Sequence, residues 1–265
     1  MEIVNKFNRR ADAVNSLVCV GLDTDAERLP AAFQSEPEPQ FAFNRWIIDQ
    51  THAYAAAFKL NIAFYEARGE AGWRELRLTA DYLRANYPEV LTICDAKRAD
   101  IGSTNEAYVR AIFDDLGFDA ITLHPYVGHE ALAPFLSRTD KVSIILCRTS
   151  NPGAGELQDL SSGGKPMWQI VAERVSRVWN ANGNCMLVVG ATYPDELRQI
   201  RAAAGEMTFL VPGIGAQGGS VQETIAAGIN KAGKGLIINS SRAIIFASEP
   251  AEAARSLRDS INQYR

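Results

Sequence analysis

Eight short apolar runs, each followed by an amphipathic stretch, constrain this chain more than any other feature. The runs cover residues 17–23, 57–61, 90–97, 120–125, 142–150, 185–190, 209–215 and 235–241. Most are continuously apolar rather than alternating, as expected of strands covered on both faces of a parallel sheet. The stretches 43–56, 71–86, 104–116, 129–136, 167–182, 195–204, 221–232 and 251–263 carry apolar residues at helical spacing, the fourth being the shortest. Eight β–α units in 265 residues, with no linker, predict an α/β fold. The expectation is a single-domain (β/α)8 barrel (a TIM barrel) over residues 1–265 rather than an open doubly wound sheet. Ahead of the first strand, Ile3, Phe7, Ala11 and Val14 recur at helical spacing and predict a helix that caps one end. The polar stretches 36–40 and 151–165 read as the only long loop insertions.

Composition excludes several classes of function. A net charge of −4 argues against bulk affinity for nucleic acid or acidic membranes. No apolar run approaches the roughly 18 residues of a membrane span, and the N-terminus lacks the apolar stretch of a signal peptide. Cys19, Cys94, Cys147 and Cys185 are far apart, form no CxxC pair and sit in apolar runs. Buried, reduced thiols in a cytoplasmic protein are expected, and neither a metal nor another cofactor. Trp46, Trp73, Trp168 and Trp179 fall at helical positions and read as packing against the barrel wall rather than as stacking platforms.

In a barrel the chemistry lies where strands end. Those ends read Asp23, Lys59 with Asn61, Asp95 with Lys97, His124, Ser150, Gly190, the PGIG turn, and Ser241 with Arg242. Charge gathered at one end of an apolar sheet is costly unless paired or used. The densest piece is ICDAKRADIGST, residues 93–104. Residues two apart on a strand share a face, so Asp95 and Lys97 point the same way. Asp100 and Ile101 follow on the loop into the next helix. Lys59 adds a second cation to the rim, and a lysine held charged beside carboxylates is a candidate proton donor. A solvated, merely charged loop is the bland alternative.

DAKRADIGST resembles the signature of the orotidine 5′-phosphate decarboxylase family. Further pieces match in the family's order: GLD at 21–23, FKLN at 58–61, TSNPGA at 149–154, VPGIGAQGG at 211–219 and SR at 241–242. The resemblance implies decarboxylation of orotidine 5′-phosphate to UMP, the last step of de novo pyrimidine nucleotide synthesis. Lys97 would protonate C6 of the pyrimidine, and Asp95 would sit against the substrate carboxylate. Lys59 and Asp100 would complete an alternating charge network. Asp100, with Ile101 and Thr104, would come from the partner subunit of a homodimer with shared sites. Asp23 would bind ribose hydroxyls and Ser150 the pyrimidine.

VPGIGAQGG also contains GxGxxG, but no carboxylate follows at the ribose-binding distance and the run sits on the seventh strand. Barrels bind phosphate after strands seven and eight, so Gln217, nearby amides and a bidentate Arg242 are the expected phosphate contacts. The chain departs from the family at Ile245, where some members carry tyrosine, and at Ser241, where glycine is common. Its long 151–165 loop resembles the longer-loop bacterial (type 2) subgroup, and a lid over the phosphate is expected there. His52, His124 and His129 show no metal-ligand spacing. Two alternatives remain at this point: a metal-dependent sugar-phosphate decarboxylase or aldolase of the same barrel superfamily, and a non-catalytic sensor of phosphoribosyl ligands. The first would place a glutamate where Lys59 stands, and the second has no use for a lysine between two aspartates.

Overall fold

The computed structural model describes residues 2–214 and 218–265. Eight parallel strands close into a barrel: β1 (Val18–Gly21), β2 (Ala57–Asn61), β3 (Leu91–Arg98), β4 (Ala120–Leu123), β5 (Val142–Arg148), β6 (Cys185–Val189), β7 (Phe209–Pro212) and β8 (Leu236–Ser240). Each strand pairs with its neighbours in sequence, and β8 returns to β1 through Val18–Ile238 and Val20–Ser240. The strands are buried almost throughout, which is why their sequences are apolar without alternation.

The helices that cover the barrel are α2 (Pro39–Thr51), α3 (Gly69–Asn86), α4 (Gly102–Val109), α5 (Gly128–Leu136), α6 (Met167–Arg174), α7 (Pro194–Ala204), α8 (Val221–Gly228) and α9 (Pro250–Asn262). They follow α1 (Glu2–Ala13), which plugs the end of the barrel away from the strand C-termini. Phe7 and Ala11 of α1 are fully buried, and Lys6 Nζ reaches Asp119 Oδ2 at 2.6 Å.

Several boundaries differ from the expectation, each for a local reason. The region 36–40 is not a plain loop: α2 starts at Pro39, and Gln40 is buried with its amide donating to Thr24 O at 2.7 Å. The helix expected over 221–232 stops at Gly228, because Asn230 Oδ1 accepts from Ala232 N and Lys234 N and closes a turn. That makes α8 shorter than the 128–136 helix. The helix expected from Thr104 begins at Gly102, and its second half, Arg110–Asp115, widens into π-helical turns. The 151–165 insertion is ordered: a turn at Pro152–Ala154, one helical turn at Gly155–Gln158, and a hairpin pairing Ser161 with Pro166. Trp46, Trp168 and Trp179 pack on the core, whereas Trp73 is 39% exposed on α3.

Candidate active site

The C-terminal ends of the strands surround a cavity of about 770 Å³. Asp23, Lys59, Asp95, Lys97, Ser150 and Arg242 all line it. Four of them form one continuous relay. Lys59 Nζ donates to Asp23 Oδ1 at 2.9 Å and to Asp95 Oδ2 at 3.2 Å. Asp95 Oδ1 accepts from Lys97 Nζ at 2.6 Å and from Thr122 Oγ1 at 2.8 Å. Both oxygens of Asp95 are thus taken, and the two carboxylates are balanced by two ammonium groups.

Burial by itself would strip the proton from Lys59, but Asp23 and Asp95 outweigh it and hold its pKa above the ordinary lysine value. Burial would likewise protonate Asp95. Lys59 and Lys97 outweigh that, with the Lys97 and Thr122 hydrogen bonds, and hold the carboxyl well below the usual carboxylate range. Both groups are therefore charged near neutral pH. Lys97 differs from Lys59 in access: its side chain is 50% exposed to the cavity, against 5% for Lys59. Cys19 lies near the relay, but burial pushes its thiol up, so it stays protonated and is no nucleophile.

The strand that carries Asp95 and Lys97 is irregular at that point. The β3–β4 register shifts between Cys94 and Arg98, and Lys97 takes a left-handed backbone with φ +46°. Thr122 holds this bulge together, accepting from Lys97 N at 2.9 Å while donating to Asp95. Bulges of this kind re-aim side chains beside active sites. Thr122 is a site residue that the sequence reading missed; its signal is a lone hydroxyl in the apolar strand AITL.

The loop after β5 brings Ser150 and Asn151 to the rim. Its base is tied down by Gln158, whose side chain accepts from Thr149 N at 2.9 Å and donates to Thr149 Oγ1 at 2.8 Å. Beneath it Arg148 is only 3% exposed, with its guanidinium over the Tyr193 ring at 4.0 Å and Asp159 at 3.4 Å. Gly190 lets β6 pass close under Ser150, since a Cβ there would stand 2.9 Å from the serine Cβ.

Arg242 is exposed at the cavity edge and makes no ion pair among the described residues. Ile245 is buried in the core and does not line the cavity. Gln217 lies outside the described residues.

Asp100, Ile101 and Thr104 do not line the cavity of their own chain. Asp100 Oδ1 accepts from Ile101 N at 2.7 Å, and the loop is clamped by the buried Asn105, whose Oδ1 accepts from Asp100 N at 2.8 Å and whose amide donates to Ala131 O at 2.6 Å. Asn105 is a second residue the sequence reading passed over. Ile101 stands 65% exposed. His124 is half-buried, its backbone N–H donating to Arg98 O, and does not line the cavity. No helix among the described residues is long and apolar enough to cross a membrane.

Known proteins give this arrangement a context. The model of the Orotidine 5′-phosphate decarboxylase / HUMPS family matches residues 16–257. The orotidine 5′-phosphate decarboxylase of Christiangramia forsetii is 50% identical over 239 residues, covering 90% of this chain and 87% of the relative. That of Cellvibrio japonicus is 45% identical with full coverage of both chains. Among solved structures, the OMP decarboxylase of Leishmania donovani superposes with a TM-score of 0.89 at 39% identity, over 99% of this chain and 98% of that one.

Proposed function

The chain belongs to the orotidine 5′-phosphate decarboxylase family, and from that membership we propose how its residues convert orotidine 5′-phosphate to UMP. The reaction makes it a carbon–carbon lyase of pyrimidine nucleotide synthesis. The observation that carries the residue assignments is the relay Asp23–Lys59–Asp95–Lys97 on the wall of one cavity.

Asp95 is ionised and cannot be neutralised cheaply, so a substrate carboxylate placed against it is raised in energy. The repulsion fades as carbon dioxide leaves, which lowers the barrier between the two states. The electron pair of the broken bond stays on C6 and takes a proton from Lys97 Nζ. Lys97, half open to the cavity, is reprotonated from water once the product has gone. Lys59 keeps Asp95 ionised and pins its second oxygen. Asp23 accepts from ribose hydroxyls, Ser150 contacts the pyrimidine, and Arg242 with Gln217 holds the phosphate. Asp100, Ile101 and Thr104, which turn away from their own cavity, serve the cavity of a second copy in a homodimer. One domain, in the cytoplasm, suffices for this chemistry.

The metal-dependent relatives of the barrel superfamily are the nearest rival reading. A divalent cation would have to sit between Asp23 and Asp95, and the Lys59 ammonium already occupies that place at 2.9 and 3.2 Å. The same relay speaks against a passive sensor of phosphoribosyl ligands, since two buried ion pairs are expensive and add nothing to binding a phosphate. The test is turnover of orotidine 5′-phosphate, followed by its loss of absorbance, after treatment with a chelator. Undiminished conversion to UMP is expected. Activity that vanishes with the chelator and returns with magnesium would overturn the metal-free mechanism.

A further inference from the structure

The two carboxylates of the site are held differently. Asp95 is surrounded by two cations and a hydroxyl. Asp23 gives one oxygen to Lys59 and the other, Oδ2, to a neutral donor, the Ser241 hydroxyl, at 2.7 Å. Ser241 is reached in turn by Asn239 Nδ2 at 3.4 Å. Space for this pair exists because residue 21 is glycine: a Cβ there would stand 1.9 Å from Ser241 Oγ and 3.1 Å from Asn239 Oδ1.

Ser241 also forgoes the role its position offers. It is the N-cap of the helical turn Arg242–Ile245, where a serine hydroxyl ordinarily accepts from the exposed amides of the first turn. Here its carbonyl accepts from Ile244 N and Ile245 N, and no side-chain cap forms. The hydroxyl is turned inward to Asp23 instead.

We propose that Ser241 is a positioning residue for Asp23, fixing the rotation of its carboxylate so that it accepts from both hydroxyls of a vicinal diol. An ionised carboxylate has about four acceptor sites. Lys59 and Ser241 occupy one on each oxygen, which leaves one on each for the ligand. Asp23 lies beyond β1, on a loop, and carboxylate torsions are broad, so the ladder of the sheet does not set this angle. With Lys59 as its only donor the carboxylate would follow the lysine, which is shared with Asp95. The inference rests on the reading of Asp23 as the ribose contact.

The experiment is calorimetric binding of UMP, 2′-deoxy-UMP and 3′-deoxy-UMP to the wild type, Ser241→Ala, Ser241→Thr, Gly21→Ala and Asp23→Ala, each checked by thermal unfolding. The wild type is expected to prefer UMP. Ser241→Ala should cut that preference about tenfold, the size of one charge-assisted hydrogen bond, and Ser241→Thr should restore it. Gly21→Ala, which displaces the hydroxyl from the neighbouring strand, should lose the preference as well and stands in if Ser241→Ala does not fold. Asp23→Ala should abolish it. A preference kept in full by both Ser241→Ala and Gly21→Ala, yet lost in Asp23→Ala, would overturn the role of Ser241 alone. A preference that survives Asp23→Ala, or is absent from the wild type, would overturn the ribose reading and this one with it.

Discussion

At Lys97 the chain gives up backbone comfort for side-chain position. A left-handed backbone at a residue with a Cβ costs about 1–2 kcal/mol, and φ there is +46°. The half-exposed ion pair it makes with Asp95 adds little stability in return. Lys97→Gly should therefore fold with a urea midpoint close to that of the wild type while turnover falls by at least about 10²-fold, the low end for a general acid. Turnover near the wild-type rate would remove Lys97 as proton donor. Asp95 is the opposite case, a buried charge on which stability depends. Its folded pKa lies below that of the unfolded chain, so its contribution is complete above about pH 4 and is lost as pH falls through the lower folded value. Asp95→Asn leaves two ammonium groups facing an amide and should cost about 3–5 kcal/mol at pH 7 in urea unfolding. The gap to the wild type should narrow below about pH 4; a constant gap would mean the charge is not what stabilises. Strand arithmetic is enough to bring Asp95 and Lys97 together, and they do meet at 2.6 Å. The bulge is not readable that way, because it depends on Thr122 from the neighbouring strand.

Elements were legible where burial dictates composition. The eight strands lie where continuous apolar runs lie, since a strand covered on both faces has little room for anything else. Elements set by one side chain bonding to the backbone were not. Gln40 and Asn105 are polar residues in polar-looking segments, and only the fold reveals that they are buried clamps. The 151–165 segment shows this most plainly: its order depends on Gln158 and on Arg148, a buried guanidinium whose Nε has no partner among the described residues and whose carboxylates stand at 3.4 Å (Asp159) and 3.8 Å (Glu196). Arg148→Met keeps the bulk and removes the charge. The amide of Thr149, bonded to Gln158, should then exchange with deuterium about tenfold faster, while the amides of β2 keep their rates. Unchanged exchange would show that Gln158 alone fastens the segment. Gly190→Ala attacks the same contact from the strand below, forcing a methyl to within 3.0 Å of Ser150 N. Overpacking of that kind costs about 1–3 kcal/mol, and it should raise KM more than it lowers kcat, since it moves the loop at the cavity rim rather than the relay.

Across the whole molecule, the charge-bearing motif is divided between two faces. Asp95 and Lys97 line the cavity, while Asp100, Ile101 and Thr104, a few residues on, lie outside it, Asp100 half-buried and the other two exposed to solvent. Ile101 and Tyr126 are 65% and 91% exposed on the neighbouring β3 and β4 loops, a poor place for apolar side chains unless another surface covers them. Sequence spacing alone cannot show this division, since it does not say whose cavity a loop faces. A twofold dimer that brings Asp100 to the partner's Lys97 would resolve both facts. Complementation tests it quantitatively. Lys97→Ala and Asp100→Ala chains should each be nearly inactive alone. In a mixed dimer one site joins both lesions and stays dead, whereas the other joins the intact Lys97 of one chain to the intact Asp100 of its partner. Equal mixing after unfolding and refolding makes about half of the dimers mixed, so about a quarter of wild-type activity should return. Recovery should also fade on dilution, as the dimers separate. No recovery in verified mixed dimers would mean that Asp100 acts on the cavity of its own chain, which would require the Asn105 clamp to open.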